Sequence, residues 1–177
     1  MTIAISIFSA DDIASHIGEL GALLHACVHD GASIGFVVPY GQAEAEAFWR
    51  DKVLPGVRAG TRIMLVARKD GRIAGTVQLG CDTMPNQPHR ADVNKLMVHP
   101  DFRRQGIAQL LMRELEVLAR GRGRSLMTLD TRTGDNAEPL YAALGYRTVG
   151  VIPDYARDPF GSDRLDATTV MYKLLAI

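Results

Sequence analysis

The sequence has few of the features that mark secreted, membrane-spanning or nucleic-acid-binding proteins. Its 177 residues include only two cysteines, Cys27 and Cys81, which are too few and too far apart for a disulfide framework. Basic and acidic residues number 20 each, so no net charge draws the chain to nucleic acid or to an anionic membrane. Acidic residues interrupt the apolar N-terminus before a secretory leader or a membrane span could form. We therefore expect a mature cytoplasmic protein with no nucleic-acid or membrane partner.

The composition allows a compact core. Apolar residues make up 47% of the chain, and its length is that of one ordinary domain. The sequence contains no internal repeat, low-complexity tract or linker. These features predict a single domain over residues 1–177.

Hydrophobic periodicity predicts the order of the secondary-structure elements. Apolar residues recur at helical spacing after Ser9, which suits a helix cap, so we predict a helix over residues 9–28 and a second over 43–57. Two β-rich runs, 62–68 and 72–79, flank Asp70-Gly71 and predict an antiparallel hairpin. The elements predicted next are a strand to residue 98, a helix from 107 ended by Gly121, a strand at 125–129, a helix at 137–144, and strands at 146–152 and 168–175. This order predicts a mixed α/β sheet rather than a doubly wound one.

The segment that points most clearly to a ligand is Val98-His-Pro-Asp-Phe-Arg-Arg-Gln-Gly-Ile-Ala108. It combines a strand end, a short loop and the start of an apolar helix, where unpaired amides and the helix dipole favour an anion. Gly106 lets the backbone approach a ligand, and Arg103 and Arg104 supply positive charge. Neither a P-loop nor a Rossmann glycine pattern is present. Taken alone, this pattern also fits an ordinary strand-to-helix connection with solvated arginines.

Two motifs in this order resemble those of the GNAT N-acetyltransferases. Arg103-x-x-Gly106-x-Ala108 is similar to the Gln/Arg-x-x-Gly-x-Gly/Ala pyrophosphate loop of that family. The stretch Asn136-Ala-Glu-Pro-Leu-Tyr-Ala-Ala-Leu-Gly-Tyr146 is similar to its second signature. The resemblance covers residues 62–152 and implies the GNAT fold, a mixed and mostly antiparallel sheet of six or seven strands flanked by helices.

The resemblance also implies acetyl-CoA as cosubstrate. The strand end should bind the pantetheine arm in a gap between parallel strands, and the loop amides should bind the diphosphate. The residues assigned in this way to acetyl-CoA are Leu96, Met97, Val98, Arg103, Arg104, Gln105, Gly106, Ile107, Ala108 and Asn136. Asn136 is equally explained as a helix cap.

Three residues are candidates for catalysis. By resemblance Tyr141 is the general acid that protonates the leaving thiolate, although its spacing alone would suit core packing. Asp92 is the first candidate base, because strand alternation places it on one face with Leu96 and Val98. Asp130, at the end of the neighbouring strand, is the second candidate base or an anchor for the amine. For both acids, a structural ion pair or turn cap is an equally good explanation.

These residues together predict an enzyme that acetylates a primary amine of a small molecule. The segments 31–36 and 94–98 resemble those of tabtoxin-resistance acetyltransferases, which suggests an amino-acid-like toxin or antibiotic as the acceptor. A peptide or protein N-terminus is the alternative acceptor, and a non-catalytic acyl-CoA-binding regulatory module is the alternative function. The sequence does not define an oligomeric state, but members of the resembling family often pair, which makes a homodimer one expected form. His25, Cys27 and His29 do not form a zinc motif, so no metal is expected.

Overall fold

The computed structural model, which describes residues 2–176, is built around one seven-stranded sheet. The strands are β1 (Ala4–Phe8), β2 (Arg62–Lys69), β3 (Arg72–Gly80), β4 (Arg90–Val98), β5 (Leu126–Arg132), β6 (Arg147–Arg157) and β7 (Leu165–Leu174). They lie in the order β1-β2-β3-β4-β5-β7-β6. Neighbouring strands are antiparallel except β4 and β5, which are parallel. The predicted mixed, mostly antiparallel sheet is confirmed.

Helices pack on both faces of the sheet. They are α1 (Ala10–Ser15), α2 (Ile17–His29), α3 (Gln42–Phe48), α4 (Leu54–Arg58), α5 (Ile107–Gly121) and α6 (Ala137–Ala143). A π-helical turn at Trp49–Val53 joins α3 to α4, and a 3₁₀ turn at Pro100–Phe102 precedes α5. No helix among residues 2–176 combines the length and apolar content that crossing a bilayer requires.

Alternating side chains of the central strands divide the core into two layers. On β2, Ile63 and Leu65 point into the layer beneath α5, whereas Met64 and Val66 point into the layer beneath the N-terminal helices. Successive side chains of a strand point to opposite faces, and both faces of β2 are buried. This explains why β2 is a continuous apolar run in the sequence. The sheet is therefore held from both sides, which fixes the strands that form the site.

The hairpin predicted from Asp70-Gly71 is confirmed. Lys69 of β2 pairs with Arg72 of β3, leaving Asp70 and Gly71 as a two-residue turn. Both turn residues have positive φ, 52° and 79°, as a type I′ turn requires.

The N-terminal region differs from the prediction in two respects. Ser9 does cap a helix, since its hydroxyl accepts the Asp12 N–H at 3.1 Å, but that helix ends at Ser15. His16 interrupts it before α2 begins, and the apolar period continues across the break, so periodicity alone predicts one helix. Strand β1, which lies outside the predicted elements, pairs with β2 as an edge strand.

Candidate active site

A gap opens between the parallel strands β4 and β5 in the middle of the sheet. The strands pair only where Arg90, Ala91 and Asp92 face β5. Beyond these pairs β4 continues to Val98 and β5 to Arg132, and the two strands have no further ladder pairs in the described residues. Main-chain groups along this edge are therefore open to a ligand that pairs with them as an added strand would.

A β-bulge in β4 changes which side chains face the gap. The register shifts between Thr76 and Gln78 of β3, where β4 carries an extra residue and Lys95 adopts a φ of 51°. As a result Asp92 and Val98 lie on opposite faces of the sheet, and the prediction that they share one face is wrong. Strand alternation holds only for a regular ladder, and a bulge reverses it.

The gap widens into a cleft of about 870 Å³, which lies within the range of roughly 300–1,000 Å³ usual for ligand sites. Most of the predicted site residues line it. They are Leu96, Met97, Val98, Arg103, Arg104, Gly106, Ile107, Ala108, Asp130, Asn136 and Tyr141. Asp92 and Gln105 are not among the lining residues. The structure therefore brings together the residues of both motifs, which are far apart in the sequence.

One end of the cleft is the start of α5. The main-chain N–H groups from Arg104 to Gln109 donate no hydrogen bond to any described residue. Gly106 precedes the helix in the left-handed region, with a φ of 80°, and no side chain caps the helix. A Cβ on Gly106 would meet nothing within 4 Å, so the amides are open to the cleft. Consecutive free amides at the positive end of a 15-residue helix fit a diphosphate.

The two arginines of this loop differ in their partners. Arg103 forms an ion pair with Asp30, and its Nε donates to the Val98 carbonyl at 3.2 Å. Arg104 is exposed and forms no ion pair with another described residue. Gln105 turns away from the cleft and contacts Lys69. Arg104 is therefore the free cation at the phosphate end, whereas the charge of Arg103 is compensated by Asp30.

Tyr141 lies in the wall of the cleft on α6. The residue is 6% exposed, and its ring packs edge-on against Tyr146 at 5.7 Å between centroids. Its hydroxyl has no hydrogen-bond partner among the described residues, and it is not one of their fully enclosed unpaired polar atoms. Burial, reinforced by the negative charges of Asp130 and Asp135, raises the pKa of Tyr141 above its usual value. The hydroxyl therefore stays protonated at neutral pH and can donate to a ligand.

The two candidate acids have different surroundings. Asp130 is exposed in the cleft, and its only side-chain partner among the described residues is the Thr168 hydroxyl at 2.9 Å. Asp92 accepts hydrogen bonds from Arg90, at 2.9 Å, and from the Thr128 hydroxyl. Asp92 thus has the structural ion pair that the sequence left open, while Asp130 keeps acceptor capacity free.

Asn136 does not have the structural role that its position at a helix start predicts. Its side chain forms no cap hydrogen bond, and its own backbone is already helical, with φ −60° and ψ −20°. Asp135 instead accepts the Asn136 N–H at 2.7 Å, and Glu138 accepts the Gly134 N–H at 2.8 Å. The expected Asn136 cap is wrong because the two N–H groups it would accept are not free: the Glu138 N–H donates to the Asp135 carbonyl at 3.2 Å, and Pro139 has no N–H. The Asn136 amide is left facing the cleft.

Two further residues of the site, Lys95 and Arg132, are not among the predicted site residues. Lys95, at the bulge, lines the cleft and contacts the Ile34 carbonyl. Arg132 donates to the Gly31 carbonyl at 3.2 Å and to Asp135 at 3.1 Å, which ties the segment after α2 to the start of α6. The contacts to the Ile34 and Gly31 carbonyls join residues more than 60 positions apart, so sequence spacing gives no signal for them.

The histidines and cysteine of α2 are arranged as follows. The rings of His25 and His29 stack at 4.1 Å between centroids. Burial raises the pKa of Cys27 to about 11, and its thiol lies 3.5 Å from the Val98 carbonyl. Residues 2–176 include no group of three or more histidine, cysteine or acidic side chains placed to hold a metal ion.

Known proteins share this sequence pattern and this fold. Residues 60–148 match the family model described as Acetyltransferase (GNAT) domain. An N-acetyltransferase from the hisH–hisA intergenic region of Azospirillum brasilense is 32% identical over 127 residues, which are 69% of this chain and 73% of that protein. The structure of yncA from Salmonella typhimurium with its cofactor acetyl-CoA has a TM-score of 0.76 at 18% identity, covering all of this chain and 96% of that one. The ribosomal-protein-alanine N-acetyltransferase of Brucella melitensis has a TM-score of 0.77 at 20% identity, covering 97% and 99%.

Fold and site together define an acyltransferase that uses a coenzyme A thioester. More narrowly, the chain belongs to the GNAT acetyltransferase family, and acetyl-CoA is its cosubstrate. When bound, that cosubstrate supplies an activated acetyl carbonyl that a neutral amine can attack. The main-chain donors at the start of α5 and the open edge of β4 fit its diphosphate and its amide-containing arm.

Proposed function

We propose that this acetyltransferase transfers the acetyl group to the primary amine of a small molecule, by direct attack within a ternary complex. The observation that supports a small acceptor is a roof beside the cleft, whose residues 31–35 line it. We use roof for segment 31–41 together with the β6–β7 connection, residues 158–164. The Val38 N–H donates to the Pro159 carbonyl at 2.9 Å across the roof. An extended peptide would have to separate the two segments, whereas a small amine would not.

The roof is closely packed at Gly31. A Cβ on Gly31 would lie 2.5 Å from the Phe160 ring, and the φ of Gly31 is 82°. Only glycine allows both this approach and this backbone conformation without strain. Arg132 holds the same residue through the Gly31 carbonyl, so the roof is attached to β5 as well as to β6 and β7.

In the proposed binding mode, main-chain groups hold the cosubstrate. The amides of Gln105, Gly106, Ile107 and Ala108 donate to the diphosphate, and Arg104 adds a full positive charge. The open edge of β4, from Leu96 to Val98, hydrogen-bonds the pantetheine arm. The Val98 N–H polarises the thioester carbonyl, and Asn136 contributes a side-chain hydrogen bond.

Asp130 is the group that we expect to handle the amine. A primary amine arrives as an ammonium ion, which a carboxylate attracts, and it must lose a proton before its nitrogen can attack. Asp130 takes that proton directly or through water. Asp92 remains the alternative base, acting through water, but Arg90 and Thr128 already occupy its carboxylate.

Tyr141 is the proposed general acid. As the N–C bond forms and the C–S bond breaks, the sulfur leaves as a thiolate that needs a proton. An ordinary phenol has a pKa of about 10, and burial raises the pKa of Tyr141 further, so the phenol holds its proton at neutral pH until a thiolate forms beside it. The unpartnered hydroxyl of Tyr141 supports this role, because no protein group competes for its hydrogen bond.

An assay of coenzyme A release over a panel of amines tests the proposal. The panel contains small primary amines in one arm and short peptides with free N-termini in the other. Turnover confined to the small amines is the expected result. Preferential turnover of the peptides would show that the roof opens and would replace the small acceptor with a protein N-terminus. Calorimetry with coenzyme A serves as the control that each protein sample is competent to bind.

Three other expectations remain predictions. Resemblance to the tabtoxin-resistance enzymes predicts an amino-acid-like toxin or antibiotic as acceptor. The homodimer predicted by family resemblance can be measured by sedimentation velocity. Strand β6, at the sheet edge, exposes Val149 and Val151 at 66% and 54%, as a pairing surface would. A single cooperative unfolding transition would support one domain over residues 1–177.

A further inference from the structure

The charged residues that line the cleft are unequally compensated. Five of them form ion pairs: Asp30 with Arg103, and Arg132 with both Asp135 and Asp166. The other three, Lys95, Arg104 and Asp130, form no ion pair with a described residue. Arg104 lies at the phosphate end of the cleft. Lys95 and Asp130 are thus opposite charges in one cleft, each without a counter-ion.

Lys95 has an unusual position for a lysine. Its left-handed backbone at the bulge places the side chain beneath the roof, where the ammonium donates to the Ile34 carbonyl. The ammonium also lies 5.2 Å and 5.6 Å from the ring centroids of Phe36 and Phe48. A Cβ on Gly35 would lie 3.4 Å from this nitrogen, so a glycine leaves its surroundings open. Only one of its three N–H donors has a hydrogen-bond partner among the described residues.

The electrostatics of Lys95 favour an anion beside it. Burial lowers its pKa, the nearby Arg62 charge acts in the same direction, and the charge of Asp130 opposes both. A partly buried cation without a counter-ion is costly, and that cost falls when an anionic group binds next to it. Lys95 and Asp130 both line the cleft and form no ion pair with each other, so each charge is open to a ligand bound in it.

We propose that Lys95 binds an anionic group of the acceptor, most simply a carboxylate, while Asp130 attracts the acceptor's ammonium group. The acceptor is then a zwitterionic, amino-acid-like molecule. This inference rests on the proposed acetylation of small amines and specifies which amines are used. Acetylation converts the ammonium into a neutral amide, so the product loses its attraction to Asp130 and keeps only the contact with Lys95. The same pair of charges therefore favours substrate over product.

Paired acceptors test this inference. Each pair is an L-amino acid and the amine that lacks its carboxylate, such as tryptophan with tryptamine and lysine with cadaverine. We expect wild-type kcat/KM to favour the acid in each productive pair. In Lys95→Met, which keeps the apolar stem of the side chain, the acid-to-amine ratio should fall about tenfold to a hundredfold, the usual effect of losing a charged hydrogen bond. Lys52→Met, which changes an exposed lysine outside the cleft, is the matched control and should leave the ratio unchanged.

Two results would overturn the inference: no wild-type preference for acids, or an unchanged acid-to-amine ratio in Lys95→Met, including an equal loss for both members of a pair. An equal loss would mean that Lys95 only holds the roof in place. Lys95→Gln gives the same comparison if the methionine variant does not fold, and thermal unfolding identifies that case. The proposed function fails in a different way, because no amine of either kind would then be acetylated.

Discussion

Replacing Tyr141 by phenylalanine separates chemistry from folding more cleanly than any other change at this site. The substitution removes one oxygen and keeps the ring, which is 6% exposed and packs on Tyr146. The lost hydroxyl has no hydrogen-bond partner among residues 2–176, so no internal hydrogen bond is broken. A typical internal hydrogen bond contributes about 1 kcal/mol, and none of that is lost here.

Tyr141→Phe should therefore affect the reaction rate much more than the stability of the fold. Stability should change by less than about 0.5 kcal/mol, which is a Tm shift of about 2 °C or less for a chain of this length. A general acid contributes roughly a hundredfold or more to the rate. We therefore expect kcat to fall about a hundredfold, equivalent to about 2.7 kcal/mol of barrier, with the Kd for acetyl-CoA almost unchanged.

Tyr146→Phe is the matched control for this experiment. Its hydroxyl is also buried but lies 3.7 Å from the Met127 sulfur and does not line the cleft. The control should keep wild-type kcat. Stopped-flow or thiol-release kinetics from pH 6 to 10 measure both variants beside the wild type. A Tyr141→Phe enzyme with near-wild-type kcat across that range would refute Tyr141 as the acid.

Three other predictions follow from the site and its surroundings. Asp130→Asn should lower kcat/KM more than Asp92→Asn does, since Arg90 already occupies the Asp92 carboxylate. The reverse order would make Asp92 the base. Gly106→Ala forces a side chain into the left-handed backbone region, which costs about 1–2 kcal/mol of conformational free energy. Calorimetry should therefore show weaker coenzyme A binding, whereas the control Gly121→Ala, at the other end of α5, should bind normally. Burial raises the pKa of Tyr40 to about 12, above the value of about 10 in the unfolded chain. The stability that the protonated Tyr40 hydroxyl contributes is therefore complete below pH 10 and is lost as the pH rises toward 12. Urea unfolding at pH 9 and 11.5, with Tyr40→Phe showing a smaller loss, checks the sign.

Local sequence predicts the elements of this fold well. The hairpin, the strand before the phosphate loop and helix α5 depend on periodicity and on turn residues such as Asp70-Gly71, which act over a few positions. Strand β1 was missed although Ile5 and Ile7 alternate with smaller residues, because a five-residue edge strand gives a weak periodic signal. The break at His16 was missed because the apolar period runs through it.

Some features of the site could likewise be predicted from local sequence, and others could not. The phosphate loop was predictable because one contiguous segment supplies both the helix start and the free amides. The placement of Asp92 and Val98 on opposite faces of β4 could not be predicted from the sequence. It results from the bulge at Lys95, and a bulge is defined by how β4 pairs with β3. The prediction of Asn136 as a cap is also wrong, since the Asp135 carbonyl accepts the Glu138 N–H and Pro139 has no N–H to offer.

The sequence by itself determined the family motifs: a helix start with free amides, a tyrosine signature and the strands that flank them. Only the tertiary structure decided which charges remain free in the cleft. Arg103 and Arg132 find partners there, while Lys95, Arg104 and Asp130 do not. The physical reason is that a charge is compensated by whatever lies within a few ångströms of it, and those neighbours come from distant parts of the chain.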